Sequence, residues 1–100
     1  MTEKRVTIIP KEKTLSGWQF KVNINIKDLD KNSQEEYNLT IELDETDYVR
    51  LTNRSINPEE MVKKSVNFLL SRENARNILT SFNLMEISKY YPDYEEMIKP

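Results

Sequence analysis

A chain of 100 residues has room for one hydrophobic core and not two. It contains no Cys and no His, which excludes disulfides, thiolate and imidazole metal sites, thiolate nucleophiles and a histidine-activated serine. The net charge of −2 is uneven, with seven basic and four acidic groups in residues 1–34, two and eight in 35–60, and six and five in 61–100, so no stretch is basic enough to draw phosphates by composition alone.

In chain order, Val6, Ile8 and Ile9 followed by Pro10 read as a short edge strand or arm within residues 1–14. Gly17, the single glycine, is expected to supply a positive-φ turn. Its scarcity also rules out phosphate-cradling loops, which need several glycines at fixed spacing. Trp18, Phe20, Val22, Ile24 and Ile26 then alternate with Gln19, Lys21, Asn23, Asn25 and Lys27. Further on, Tyr37, Leu39, Ile41 and Leu43 alternate with Asn38, Thr40, Glu42 and Asp44. Each pattern places its apolar side chains on one strand face, and two such strands pair as an antiparallel hairpin. The polar segment from Asp28 to Glu36 is expected to be the joining loop. Asp28, Asp30 and Asn32 begin it like a calcium loop, but Ser33 stands where that loop needs glycine and Leu39 where it needs a bidentate glutamate. No metal or other cofactor is expected.

Asp44 is placed to cap a short helix carrying Tyr48, Val49 and Leu51, which Thr52 and Asn53 end. Asn57, Pro58, Glu59 and Glu60 open a stronger helix, with Glu59 to Lys63 and Glu60 to Lys64 as favourably oriented pairs one turn apart. Val62, Val66, Leu69 and Leu70, flanked by Met61 and Phe68, form the face that lies on the hairpin. The spacing of Ala75, Ile78, Leu79 and Phe82 predicts a further short helix. Asn83 with Glu86 forms a capping box for the next, whose inner side carries Leu84, Ile87 and Tyr91. Pro92 stops it, and Asp93 caps a last turn with Tyr94, Met97 and Ile98. The expected fold is a single α+β domain over residues 1–100, an antiparallel hairpin or three-stranded sheet covered on one face by four or five short helices.

The helical half, from Pro58-Glu59-Glu60-Met61-Val62 through Phe68-Leu69-Leu70-Ser71-Arg72-Glu73, Ile78-Leu79 and Phe82-Asn83-Leu84 to Ile87-Ser88-Lys89-Tyr90-Tyr91-Pro92-Asp93-Tyr94-Glu95, resembles a family of short bacterial proteins with no assigned activity. That resemblance implies neither catalytic nor ligand residues.

Two surfaces are candidates for binding. Tyr90, Tyr94 and Met97 belong to the densest aromatic and apolar cluster outside the hairpin and are the candidate protein-binding anchors. Lys21, Asn23, Asn25 and Lys27 place two cations and two amides on one outward strand face, and are the candidate nucleic-acid contacts, reinforced by Lys4, Arg5, Lys11 and Lys13. A related alternative is the strand-helix-helix order of ribbon-helix-helix repressors, with the strand at Leu39 to Asp44. The carboxylate pairs, Asp44 with Asp47 and Glu35 with Glu36, are explained by a helix start and a loop. The sequence therefore reads first as a small, non-catalytic, cytoplasmic protein-interaction or regulatory domain, monomeric or weakly dimeric, that binds another protein and not a membrane. A nucleic-acid-binding regulator ranks second and an enzyme third.

Overall fold

The computed structural model describes residues 1–99 and, at Pro10 and Lys11, the backbone alone. Three long strands come first: β1 (Thr2–Lys13), β2 (Gly17–Asp28) and β3 (Ser33–Asp44). They are followed by helix α1 (Glu45–Thr52), helix α2 (Pro58–Arg72), a 3-10 turn (Ala75–Asn77), the short strand β4 (Ser81–Asn83), a second 3-10 turn (Leu84–Glu86) and helices α3 (Ile87–Tyr90) and α4 (Tyr94–Ile98). The sheet order is β1-β2-β3-β4, with β4 running parallel to β3 and the other neighbours antiparallel. The fold is α+β, one mixed sheet with helices on one face.

The period-2 patterns act as read. Phe20, Val22 and Ile24 of β2 and Leu39, Ile41 and Leu43 of β3 are buried with Trp18, and β1 adds Val6. On the helical side Met61, Val62, Ser65 and Val66 of α2 are fully enclosed against them. Ile26 and Tyr37 pack only partly on this core. The reason is length: a 12-residue strand spans about 40 Å and the 15-residue α2 about 22 Å, so the distal end of the β2–β3 hairpin projects beyond its cover. The molecule is accordingly elongated, 43 × 28 × 22 Å.

Several local expectations are corrected. Pro10 does not end the first strand, because β1 continues to Lys13 through a register irregularity between Ile9 and Glu12, and the outer edge of the sheet is where proline is tolerated. The β2–β3 connection is only residues 29–32. Asp28 folds it by accepting the backbone amides of Asp30 and Lys31 at 3.1 and 3.2 Å, and Asn32 takes the left-handed conformation at φ 52°. Gly17 has no positive φ. It is required by proximity, because a Cβ there would lie 2.1 Å from the Leu43 carbonyl oxygen and 2.8 Å from the Glu45 amide nitrogen. That close approach lets the Ser16 carbonyl accept the first amide of α1, Glu45 N, at 2.8 Å. Asp44 then leaves its expected capping bond unmade and accepts instead from Ser16 Oγ at 3.4 Å.

Asn57 caps α2 as expected, accepting from Glu60 N at 2.8 Å with Pro58 in the first turn. Lys64, expected to pair with Glu60, donates instead to the Ile98 carbonyl at 3.3 Å and ties the C-terminal turn to α2. The helix expected from Ala75 to Phe82 is absent. Ala75–Asn77 is a single 3-10 turn, and the chain then extends into β4, where Phe82 lies beside Ile41 and Ser81 beside Thr40. Asn74 and Asn77 favour turns over helix, and the gain from closing the sheet edge exceeds the weak propensity of a short helix. Asp93, expected to cap α4, uses its carboxylate on Arg72.

Candidate functional site

Of the C-terminal trio, Tyr90 is 70% and Met97 60% exposed, whereas Tyr94 is fully buried. Tyr94 is therefore not a binding anchor. Its ring packs edge-on to Phe68 at 5.4 Å, and its hydroxyl lies 2.6 Å from Ser65 Oγ inside the core. Burial pushes its phenol far above the ordinary tyrosine value. Tyr90 and Met97 also do not work together, since Tyr90 lines a groove to which Met97 does not contribute.

That groove, about 410 Å³, lies between the C-terminal end of α2, the segment leading into β4, and α3. Its floor is apolar, made by Leu69, Ile78, Phe82 and Ile87, all buried. Leu79, 54% exposed, and Tyr90 stand at its rim. The extended backbone explains the split between neighbours: in a helix Ile78 and Leu79 share a face, while in an extended segment they point opposite ways. Ile78 goes into the core and Leu79, expected there, goes out.

Two carboxylates line the same groove, and both are held in place. Glu73 Oε2 accepts the Tyr91 hydroxyl at 2.6 Å. Glu86 Oε2 accepts Asn83 N at 3.2 Å in the capping box read from sequence, and Asn83 Oδ1 accepts in return from Met85 N at 3.0 Å. The Tyr91 phenol is raised above its ordinary value, first by the hydrogen bond to Glu73, then by burial and the carboxylate's charge. Among the described residues no lysine or arginine lines the groove. Arg72 lies over the Phe68 ring at 4.6 Å and the Tyr91 ring at 5.8 Å, and its charge is taken by Asp93. Arg72 in turn holds the Asp93 carboxyl below its usual range.

The second candidate surface is the bare sheet face. Strand alternation places Lys21, Asn23, Asn25 and Lys27 together there, as the sequence implies, but the described residues of the neighbouring strands add more carboxylates than cations. Arg5 joins the two lysines, and Glu3, Glu12, Glu36, Glu42 and Asp44 oppose them. Asn23 Nδ2 donates to Glu36 Oε1 at 2.7 Å and Asn38 Oδ1 at 3.0 Å, and Lys21 Nζ to Thr40 Oγ1 at 3.2 Å, so this polar chemistry is largely directed within the sheet. Of the reinforcing cations, Lys4 lies opposite Ile26 and points to the other face by alternation. Lys13 lies 4.6 Å over the Trp18 ring and 3.5 Å from Glu45, and the Lys11 side chain lies outside the described residues. Nor can β3 serve as a repressor ribbon along its length. It is paired with β2 throughout, and Thr40, Ile41 and Glu42 are taken on the other edge by β4.

Among the described residues no group of three or more acidic side chains is gathered to hold a metal ion, and no helix is long and apolar enough to cross a membrane. The groove residues that sequence reading missed are Leu79, Ile78 and Phe82 as a strand-like run, and Glu73 and Glu86 as a shared acidic lining. The signal for the first was the period-2 order Ile78, Thr80, Phe82 against Leu79, Ser81, preceded by two asparagines. No protein-family model, curated protein or solved structure matches the chain.

Proposed function

We propose that this protein is a small non-catalytic protein-binding domain of the cytoplasm, and that it docks its partner in the groove beside β4. The observation that carries this reading is the pair Leu79 and Tyr90, two large apolar side chains held exposed at the rim of a groove with a buried apolar floor. Leaving them in water forgoes hydrophobic stabilisation that a partner would recover, at roughly 25 cal/mol per Å² of apolar surface covered. Tyrosine at the rim of such a floor is also the residue type enriched at interface anchors. The absence of His and Cys supports a binding role over a catalytic one.

The test is site-specific crosslinking in native lysate. A photoreactive residue in place of Leu79 should give a discrete protein adduct that a Tyr90→Asp change in the same chain suppresses, while the same probe in place of Asn23 gives none. Nuclease-sensitive adducts at Asn23 with none at Leu79 would move the function to the sheet face and overturn the reading.

A further inference from the structure

We infer that the groove selects a basic peptide segment, one that sets an aliphatic or aromatic side chain on the floor and a lysine or arginine against Glu73 and Glu86; this rests on the docking role proposed above. Three observations carry it. The lining holds two carboxylates and no cation, so an anionic or neutral occupant would leave both charges facing it unpaired or partly desolvated. Each carboxylate is fixed by a hydrogen bond through one oxygen, Glu73 from Tyr91 at 2.6 Å and Glu86 from Asn83 N at 3.2 Å. The remaining lone pairs are thereby presented without the usual loss of side-chain freedom, the condition under which a charge pair gains affinity. Finally, the groove is open. A small ligand binds by being largely enclosed, and rim side chains as exposed as Leu79 at 54% and Tyr90 at 70% do not enclose one; a peptide lying along the groove uses them as side walls. Tyr90, exposed at the rim, adds an aromatic side chain within reach of the cation or its aliphatic stem.

The test uses three synthetic peptides of one length, with leucine at the apolar positions and lysine, glutamine or glutamate at the others, titrated into the full chain and followed by its amide and methyl NMR signals. The wild-type chain should bind the Leu/Lys peptide, with shifts centred on Ile78, Leu79, Phe82 and Ile87. The variant Glu73→Gln/Glu86→Gln should bind it about tenfold more weakly, about 1.4 kcal/mol. Glutamine can still accept from the Tyr91 hydroxyl and still complete a capping box, so the variant should keep the wild-type melting temperature and its spectrum away from the groove. Raising salt should weaken the wild type toward the variant. If the Leu/Gln or Leu/Glu peptide occupies the groove as tightly as Leu/Lys, the groove docks peptides but the basic preference is overturned. If no peptide moves the groove signals, or the Leu/Lys shifts fall elsewhere, the inference fails. The crosslinking outcome at Leu79 then decides separately whether the docking role survives.

Discussion

The Tyr94 and Ser65 hydroxyls form a closed pair whose energetics can be worked out from geometry. Both residues are fully buried, and Ser65 Oγ donates to the Met61 carbonyl at 2.8 Å. Ser65 has one proton to give, so the 2.6 Å contact with Tyr94 is satisfied by the tyrosine donating to the serine. Ser65→Ala then strands a phenolic O–H in the core, at a cost of about 1–3 kcal/mol. Tyr94→Phe leaves only a serine lone pair unpartnered and should cost less, about 0.5–1.5 kcal/mol. The double variant removes donor and acceptor together without stranding either, and should lie closer to wild type than the sum of the singles. The expected coupling is about 1 kcal/mol, measured by urea melts with unchanged slopes. If the double variant loses the sum of the single losses to within about 0.5 kcal/mol, the two hydroxyls do not act as a pair. A binding defect in Tyr94→Phe at unchanged stability would instead return Tyr94 to the interaction surface.

Other expectations test the frame around the groove. Leu69→Ala, at a buried position facing both core and groove, should cost about 2–5 kcal/mol in denaturant melts. A loss below about 0.5 kcal/mol would mean that α2 is turned the wrong way. Gly17→Ala forces a methyl to within 2.1 Å of the Leu43 carbonyl oxygen, and should cost about 1–3 kcal/mol or more in the same assay although the backbone there is ordinary; a neutral result would mean that the turn is not packed on the start of α1. The Glu95 carboxyl is lowered by Arg50, which donates to it at 2.9 Å, as the Asp93 carboxyl is by Arg72. Because these folded pKa values lie below the unfolded ones, the unfolded chain takes up protons first. The stabilisation is complete above the ordinary carboxyl range and is lost as pH falls below about 4 through the folded values. Arg50→Gln/Arg72→Gln should therefore flatten acid unfolding below that range, and an unchanged acid limb would show that the two pairs do not hold α4.

The parts of the fold legible in the sequence are those where one periodicity serves one environment. The strands around Phe20 and Ile41 face a core on one side and water on the other, so strict alternation gave both the elements and their inward sets. Likewise, α2 was marked by Asn57, Pro58 and an apolar stripe broken only by the buried Ser65. The segment from Ala75 to Phe82 misled because its apolar residues fit two periods at once. Ala75, Ile78, Leu79 and Phe82 satisfy the helical spacing, while Ile78 and Phe82 with Thr80 between them satisfy the extended one. What decided between them is non-local: β3 had a free edge at Thr40–Glu42, and Thr40 N now donates to the Thr80 carbonyl at 2.8 Å. The same choice creates the candidate site. A helix would have set Leu79 on the same apolar face as Ile78, whereas the extended segment turns Leu79 out to the rim it shares with Tyr90, over an apolar floor that two fixed carboxylates also line. The surface was missed for that physical reason, since it follows from a pairing partner some forty residues away and not from any property of residues 75–82 read alone.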